Sequence, residues 1–228
     1  MKRIELNDTL RSLLYEIPLF KDLPDAEVKL LIDDLDYVVY AYEKGEEVIH
    51  QGDLCRSLCI LLKGILQVDI IDANGDSVLI EHITAPRSFA TSHLFQEDNR
   101  FPATFTVKAN SILLIATKES AFNLISKHPN LLKNFFCVSG RCNVCTTARL
   151  DILSRKTVRD RLIVYLTHLH RMADNIVRIR LSQGQLAAYL NVSRQALSTE
   201  INKMEKEELI KRRDENLVEL NLNLMKTL

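Results

Sequence analysis

The apolar pattern changes period twice along the chain. Between Leu10 and Leu35 it reads as helical, with Leu13, Leu14 and Ile17 at helical spacing, Pro18 and Pro24 as breakers, and then Val28, Leu30, Leu31, Ile32 and Leu35. From Tyr37 to about Ile115 short β-branched or aromatic runs alternate with turn residues: Glu43-Lys44-Gly45, Gln51-Gly52-Asp53, Lys63-Gly64, Ala73-Asn74-Gly75-Asp76 and Ala85-Pro86-Arg87. Asn74-Gly75, between Leu66–Ile71 and Val78–Ile83, predicts a hairpin. Short strands in regular succession predict an all-β roll or jelly roll. Beyond Thr117 the helical period returns, first over Glu119–Lys127, closed by His128-Pro129, and then over a long stretch from about Asn130 to Ser154.

A helix of that length spans about 35 Å and has little to bury against in a small monomer. Its stripes offer two heptad frames. One runs through Phe135, Val138, Cys142, Cys145 and Ile152 and is interrupted by Arg149; the other runs through Phe136, Ser139, Asn143, Thr146, Leu150 and Leu153. A helix packing one face on its own β-domain and the other on a twin uses both. A helix buried wholly within one chain is the alternative.

The most specific pattern lies between Ile179 and Met204. Ser182 and Ser193 stand where N-caps belong, each opening a segment with helical apolar spacing: Leu186, Ala187 and Leu190, then Leu197, Ile201 and Met204. Asn191 falls in the turn between them, where a left-handed residue is needed and asparagine is the next choice after glycine. This predicts a helix-turn-helix. On its second helix Arg194, Gln195, Ser198 and Thr199 project away from Leu197 and Ile201; arginine pairs with guanine or phosphate and glutamine bidentately with adenine. The candidate DNA-contacting set is Ser182, Gln183, Ser193, Arg194, Gln195, Ser198, Thr199 and Lys203. Lys206, Lys211, Arg212 and Arg213 add charge nearby, and Lys211–Arg213 and Leu217–Leu222, split by Asp214-Glu215-Asn216, predict a small β-hairpin wing. An ordinary helical hairpin with a polar outer face is the bland alternative.

Composition fits two small domains: 228 residues, 46% of them hydrophobic. No apolar run is long enough for a membrane span and Met1-Lys2-Arg3-Ile4-Glu5 opens no signal peptide, so a cytoplasmic protein without a membrane partner is expected. The formal charge of zero hides an asymmetry. Residues 1–150 carry 16 Lys+Arg against 20 Asp+Glu, and residues 151–228 carry 14 against 10, so only the second part invites a polyanion. The five cysteines (Cys55, Cys59, Cys137, Cys142, Cys145) contain a single C-x2-C pair without a second pair or a His pair, which predicts packing thiols and no metal site. No Walker loop, metal-binding His pair or nucleophile elbow is present, so no catalytic residue is assigned and an enzyme is not expected.

Over nearly its whole length the chain resembles the family of the cAMP receptor protein and the fumarate and nitrate reduction regulator. The resemblance rests on Lys44-Gly45 followed by Gln51-Gly52-Asp53, on Ile60-Leu61-Leu62-Lys63-Gly64, on Phe89 through Leu94-Phe95, and on Val192-Ser193-Arg194. It implies an α+β protein with an N-terminal, jelly-roll-like β-roll of the cyclic-nucleotide-binding type with flanking helices (1–129), a dimerisation helix (130–155) and a C-terminal winged helix-turn-helix (156–228). It implies a homodimer on near-palindromic double-stranded operator DNA, working with RNA polymerase and answering to a small effector. Carried over by position, Phe89, Thr91, Ser92, His93, Phe101 and Thr104 would line the effector pocket on the roll side, with Thr146 and Thr147 on the helix.

The departures bear on the effector. Where cAMP-binding members carry Phe-Gly-Glu and later Arg-Ser, this chain has Phe89-Ala90-Thr91 and Phe101-Pro102, so the carboxylate for ribose and the guanidinium for phosphate are both missing. A buried anionic nucleotide would then lack its counter-charge, and cAMP is not the expected ligand, with Arg100 one position away as the only substitute. No cysteine precedes Cys55, which argues against the family's iron-sulfur centre. Haem through His82 or His93, a redox input through the cysteines, and a cyclic-nucleotide-binding module without a DNA role remain as alternatives, so the effector is left unnamed.

Overall fold

The computed structural model describes the backbone of residues 1–169, 171–214 and 216–225, and their side chains apart from 141–146, 173 and 225. Residues Met1–Cys145 form one compact unit and Thr146–Leu228 a second. In the first unit β1 (Lys2–Ile4), β2 (Tyr37–Tyr42), β3 (Glu47–Ile49), β4 (Ser57–Ile71), β5 (Ser77–Thr84), β6 (Arg87–Phe89) and β7 (Thr104–Thr117) make one sheet. Its order is β1-β2-β7-β4-β5, with β3 added on β7 and β6 on β4.

The expected hairpin is β4–β5, with Leu66 opposite Ile83 and Ile71 opposite Ser77, and Gly75 at positive φ in its turn. β4 and β7 pair antiparallel from Ser57↔Thr117 to Asp69↔Thr104, and the register shifts three times between Leu61 and Leu66. Such shifts bend a strand and increase its twist, which lets one long sheet coil into a roll. Gly64 stands at this bend with φ +96, and a Cβ there would fall 2.5 Å from the Asn110 carbonyl oxygen, so only glycine fits. Leu58, Cys59, Ile60, Leu61 and Leu62 are all buried, so β4 is covered on both faces here.

The segment expected as helix between Leu10 and Leu35 is broken into pieces. α1 (Asp8–Ser12) begins at Asn7, whose side chain accepts from the Leu10 amide, and short 3-10 turns follow at Leu13–Glu16 and Pro18–Phe20 before α2 (Asp25–Asp33). The prolines set these breaks, because a ring without an N–H cannot continue the ladder. Leu14, Ile17, Phe20, Val28, Leu31 and Ile32 join strand residues such as Leu61, Leu66 and Leu113 in one core.

α3 (Lys118–Lys127) starts at Thr117, whose hydroxyl accepts from the Ser120 amide at 3.3 Å, and α4 runs from Pro129 to Ser154 straight through Gly140. The two heptad frames on α4 differ in burial at their largest described side chains. Phe135, Val138, Arg149 and Ile152 are buried, whereas Phe136 is 67% and Leu150 63% exposed; Cys142, Asn143, Cys145 and Thr146 lie outside the described side chains. Arg149, which breaks the first frame in sequence, continues the buried stripe.

In the second unit α5 (Val158–His168), α6 (Gln183–Tyr189) and α7 (Arg194–Lys206) pack with a sheet of β8 (Ile176–Arg178), β9 (Ile210–Asp214) and β10 (Leu217–Leu220), ordered β8-β10-β9. The expected two-stranded wing thus has a third strand. Leu162, Leu166, Val177, Leu186, Leu190, Leu197, Met204 and Val218 form its core, with Ile152 from α4. Among the described residues no helix is long and apolar enough to cross a membrane.

Candidate nucleic-acid interface and effector cleft

The two caps fix the second unit's reading helix. Ser182 accepts from the Gln185 amide and Gln185 returns a bond to the Ser182 amide at 2.8 Å, a reciprocal capping box that starts α6. Ser193 accepts from the Ala196 amide at 3.1 Å and starts α7. Between them Asn191 sits at φ +52, with the Val192 amide on Ala187 O and the Asn191 amide on Ala188 O. This is a Schellman closure with asparagine in the left-handed place. α7 buries Leu197 and Met204 completely. That leaves Arg194, Gln195, Thr199 and Lys203 exposed and Ser198 half-buried on the outer side, while Ser182 is exposed and Gln183 half-buried at the start of α6.

Sequence reasoning missed the residues that hold this helix in place. Arg159 on α5 donates from Nε to Glu200 at 2.6 Å, and from its two terminal nitrogens to Glu207 at 2.7 and 2.9 Å. It therefore clamps the middle and the C-terminus of α7, and the Glu207 carboxyl beside it is held below the usual carboxylate range. Arg161 donates to the carbonyls of Leu190 at 3.0 Å, Asn191 at 3.1 Å and Arg155 at 2.9 Å, tying the turn between α6 and α7 to the start of α5. Arg149 is 1% exposed and its guanidinium carbon lies 4.4 Å from the Tyr189 ring centroid. Burial lowers its pKa to about 10, which leaves it cationic at neutral pH.

The charge near the wing needs a correction. Arg212 is bonded to Glu205 at 2.8 Å and Arg213 to Glu219 at 2.6 Å, so the two arginines stabilise the wing and present no bare charge. Arg194, Lys203, Lys206 and Lys211 make no ion pair among the described residues.

In the first unit the residues expected to line a pocket fall into two groups. Phe89, Phe101 and Thr104 are buried in the roll's own packing: the Phe89 and Phe101 rings stand 5.3 and 5.9 Å from Phe105, and Thr104 accepts from the Gln51 amide at 3.1 Å. Thr91 and Ser92 instead line an open cleft of about 340 Å³. Its walls are Phe95, Phe122, Phe135 and Phe136, with Ile125 and Leu132 behind them and the hydroxyls of Ser126 and Ser139 at the edges. His93 is half-buried, Thr147 exposed, and the Thr146 side chain outside the described residues. Ala90, where cAMP-binding members have glycine, keeps the left-handed backbone at φ +54.

The other candidate ligands meet occupied groups. Arg100 donates to the Gly52 carbonyl at 2.8 Å, His82 faces the Gln67 carboxamide at 3.4 Å, and His93 faces that of Gln96 at 3.2 Å. Cys55 and Cys59 are buried and Cys137 exposed; desolvation pushes the Cys59 thiol up to about 12 and raises that of Cys55.

Residues 40–128 match the cyclic nucleotide-binding domain family and residues 160–228 the Crp-like helix-turn-helix domain family. The chain belongs to the Crp/Fnr family of DNA-binding transcription regulators. It is 20% identical over 185 residues to the cAMP-activated global transcriptional regulators of Pasteurella multocida and Escherichia coli O157:H7, covering 79% of this chain and 88% of each relative. Among solved structures it is similar to a CooA variant from Carboxydothermus hydrogenoformans (TM-score 0.66, 15% identity, 87% of this chain and 89% of that one). FixK2 from Bradyrhizobium japonicum superposes with a TM-score of 0.60 at 11% identity, covering 84% and 97%. At these identities the likeness is one of fold.

Proposed function

We propose that this Crp/Fnr regulator binds a near-palindromic operator as a homodimer and answers to a small effector held by its first unit. Arg194, Gln195, Ser198 and Thr199 read base edges in the major groove, Ser182, Gln183, Ser193 and Lys203 meet the backbone, and RNA polymerase is the further partner. The observation that carries the reading is the first turn of α7. Arg194 and Gln195 are exposed there on a helix whose back is buried and whose two ends are clamped by Ser193 and Arg159. The exposed Phe136 and Leu150 on α4 supply the seam for the second copy. Activation by cAMP, which the relatives' names state for them, is not carried over, because Thr91 and Phe101 replace the carboxylate and guanidinium.

The test is operator selection from random duplex DNA, followed by titrations at several salt concentrations with and without cell extract as an effector source. Gln195→Ala should cost about 1–3 kcal/mol on the selected operator and relax preference at one symmetric base-pair position. Lys203→Ala should weaken binding to all duplexes alike and flatten the salt dependence. Selection of no sequence, or an unchanged selected sequence with Gln195→Ala, refutes the assignment.

A further inference from the structure

The cleft bounded by Phe95, Phe122, Phe135 and Phe136 overlaps only in part with the positions that the cyclic-nucleotide pattern marks. Of that set it shares only Thr91 and Ser92, and apart from Phe95 its other walls stand on α3 and on the first three turns of α4. The aromatic wall is continuous. Phe95 meets Phe122 at 5.7 Å and Phe135 at 5.3 Å between centroids, and Phe135 meets Phe136 at 6.4 Å, all with rings tilted or edge-on. Rings so arranged offer both edges and faces to a further ring.

Among the described residues no ionisable side chain lines the cleft. Lys118 sits over the Phe95 ring at 5.9 Å and is not part of the lining. The Ser139 hydroxyl oxygen is buried and has no hydrogen-bond partner among the described residues. A polar atom left so is costly until something bonds to it. Two of the four rings, Phe95 and Phe122, stand outside α4, so the concavity is not simply one side of a helix seam.

We propose that this cleft binds a small, uncharged, predominantly aromatic molecule whose single hydroxyl or carbonyl group meets Ser139. An anion there would lose its hydration without a counter-charge, whereas a neutral ring gains apolar contact on several sides. Because Phe135, Phe136 and Ser139 all stand on α4, a ligand seated between them and Phe122 fixes α4 against α3. The site's regulatory consequence rests on the function proposed above; its ligand chemistry does not.

The experiment is calorimetric titration of the full-length protein at neutral pH with 2-naphthol and with 2-naphthoate, which share a ring system and differ in charge. The expected result is saturable binding of 2-naphthol at one site per chain, with 2-naphthoate weaker by about tenfold or more. Phe122→Ser, at a position already 56% exposed and so tolerant of change, should weaken 2-naphthol by about tenfold or more, and Ser139→Ala by roughly threefold to tenfold. Thermal melts establish that both variants are folded. Equal or tighter binding of 2-naphthoate overturns the proposal, as does binding unaffected by both substitutions. Absence of saturable 2-naphthol binding overturns it too, and then the cleft is a surface covered by the second copy. Operator selection on the same preparations separates the two readings: selection without 2-naphthol binding sinks the cleft alone, and 2-naphthol binding without selection keeps the cleft and sinks the regulator.

Discussion

Replacing Phe136 by alanine tests which face of α4 meets the second copy. Phe136 is 67% exposed in the single chain. An aromatic side chain of about 200 Å² then leaves about 130 Å² to be covered, which at about 25 cal/mol per Å² is about 3 kcal/mol per copy. Part of that area faces the cleft and not the second copy, both copies contribute across a two-fold axis, and alanine retains a small part of the area, so Phe136→Ala should weaken the dimer by about 3–5 kcal/mol, roughly a hundredfold to a few thousandfold. Leu150, 63% exposed, should act in the same direction with a smaller effect, about 2–4 kcal/mol per dimer. Leu30 on α2 is the control, because it is 67% exposed but belongs to neither heptad stripe of α4, and Leu30→Ala should leave association unchanged. Sedimentation equilibrium across a wide concentration range reads all three. The reasoning fails if Phe136→Ala and Leu150→Ala dimerise like the parent chain while Cys142→Ser does not, since the seam would then run through the other heptad frame.

Three further outcomes are expected. Arg149→Met should be neutral or stabilising by about 1 kcal/mol, because it removes a desolvated charge while keeping the volume over Tyr189, and Arg149→Ala should destabilise by about 2–4 kcal/mol through the cavity it leaves; urea unfolding distinguishes the signs. Glu208 closes α7 at φ +57, with the Leu209 amide on Met204 O, so Glu208→Gly should stabilise the second unit by about 0.5–1 kcal/mol in a thermal melt, and a loss would refute the strain. Since desolvation raises the thiols of Cys55 and Cys59, both should resist alkylation in the native protein at neutral pH while the exposed Cys137 reacts; mass spectrometry showing Cys59 modified first would contradict this.

What the sequence discloses is what local chemistry decides. Ser182, Ser193 and Asn191 are legible because a cap or a left-handed turn is set by one residue and its near neighbours, and the Asn74-Gly75 hairpin is legible for the same reason. The clamp by Arg159 is not, because its partners stand 41 and 48 residues away, and neither are the carbonyl contacts of Arg161, at separations of 29 and 30. α4 is ambiguous in sequence because both of its stripes mix apolar and polar residues; only packing reveals that Phe135 is inside and Phe136 outside. The break of the first stripe at Arg149 reads in sequence as a fault, since a buried cation is rare, and becomes intelligible only with Tyr189 beneath it. The aromatic cleft escapes for a related reason. Its walls come from three segments, and phenylalanines scattered through a sequence read as core.

The pairing of charges in the second unit also changes what the basic balance means. The planar, forked guanidinium groups of Arg159, Arg161, Arg212 and Arg213 are spent on carboxylates and carbonyls of the same chain, where two-pronged geometry fixes helix and wing positions. Among the described residues, the cations left without an ion pair on α7 and on β9–β10 are Arg194, at the first turn of α7, and the lysines Lys203, Lys206 and Lys211. A lysine is a point charge on a flexible stem, suited to phosphates whose exact position does not matter, whereas base recognition needs a fork held in place. Arg194 and Gln195 are the residues on the outer face of α7 that can supply such paired contacts. On the reading proposed above, the arginines paired within the chain therefore decide how well Arg194 and Gln195 do: a recognition helix free to tilt would keep its lysine contacts and lose its sequence preference.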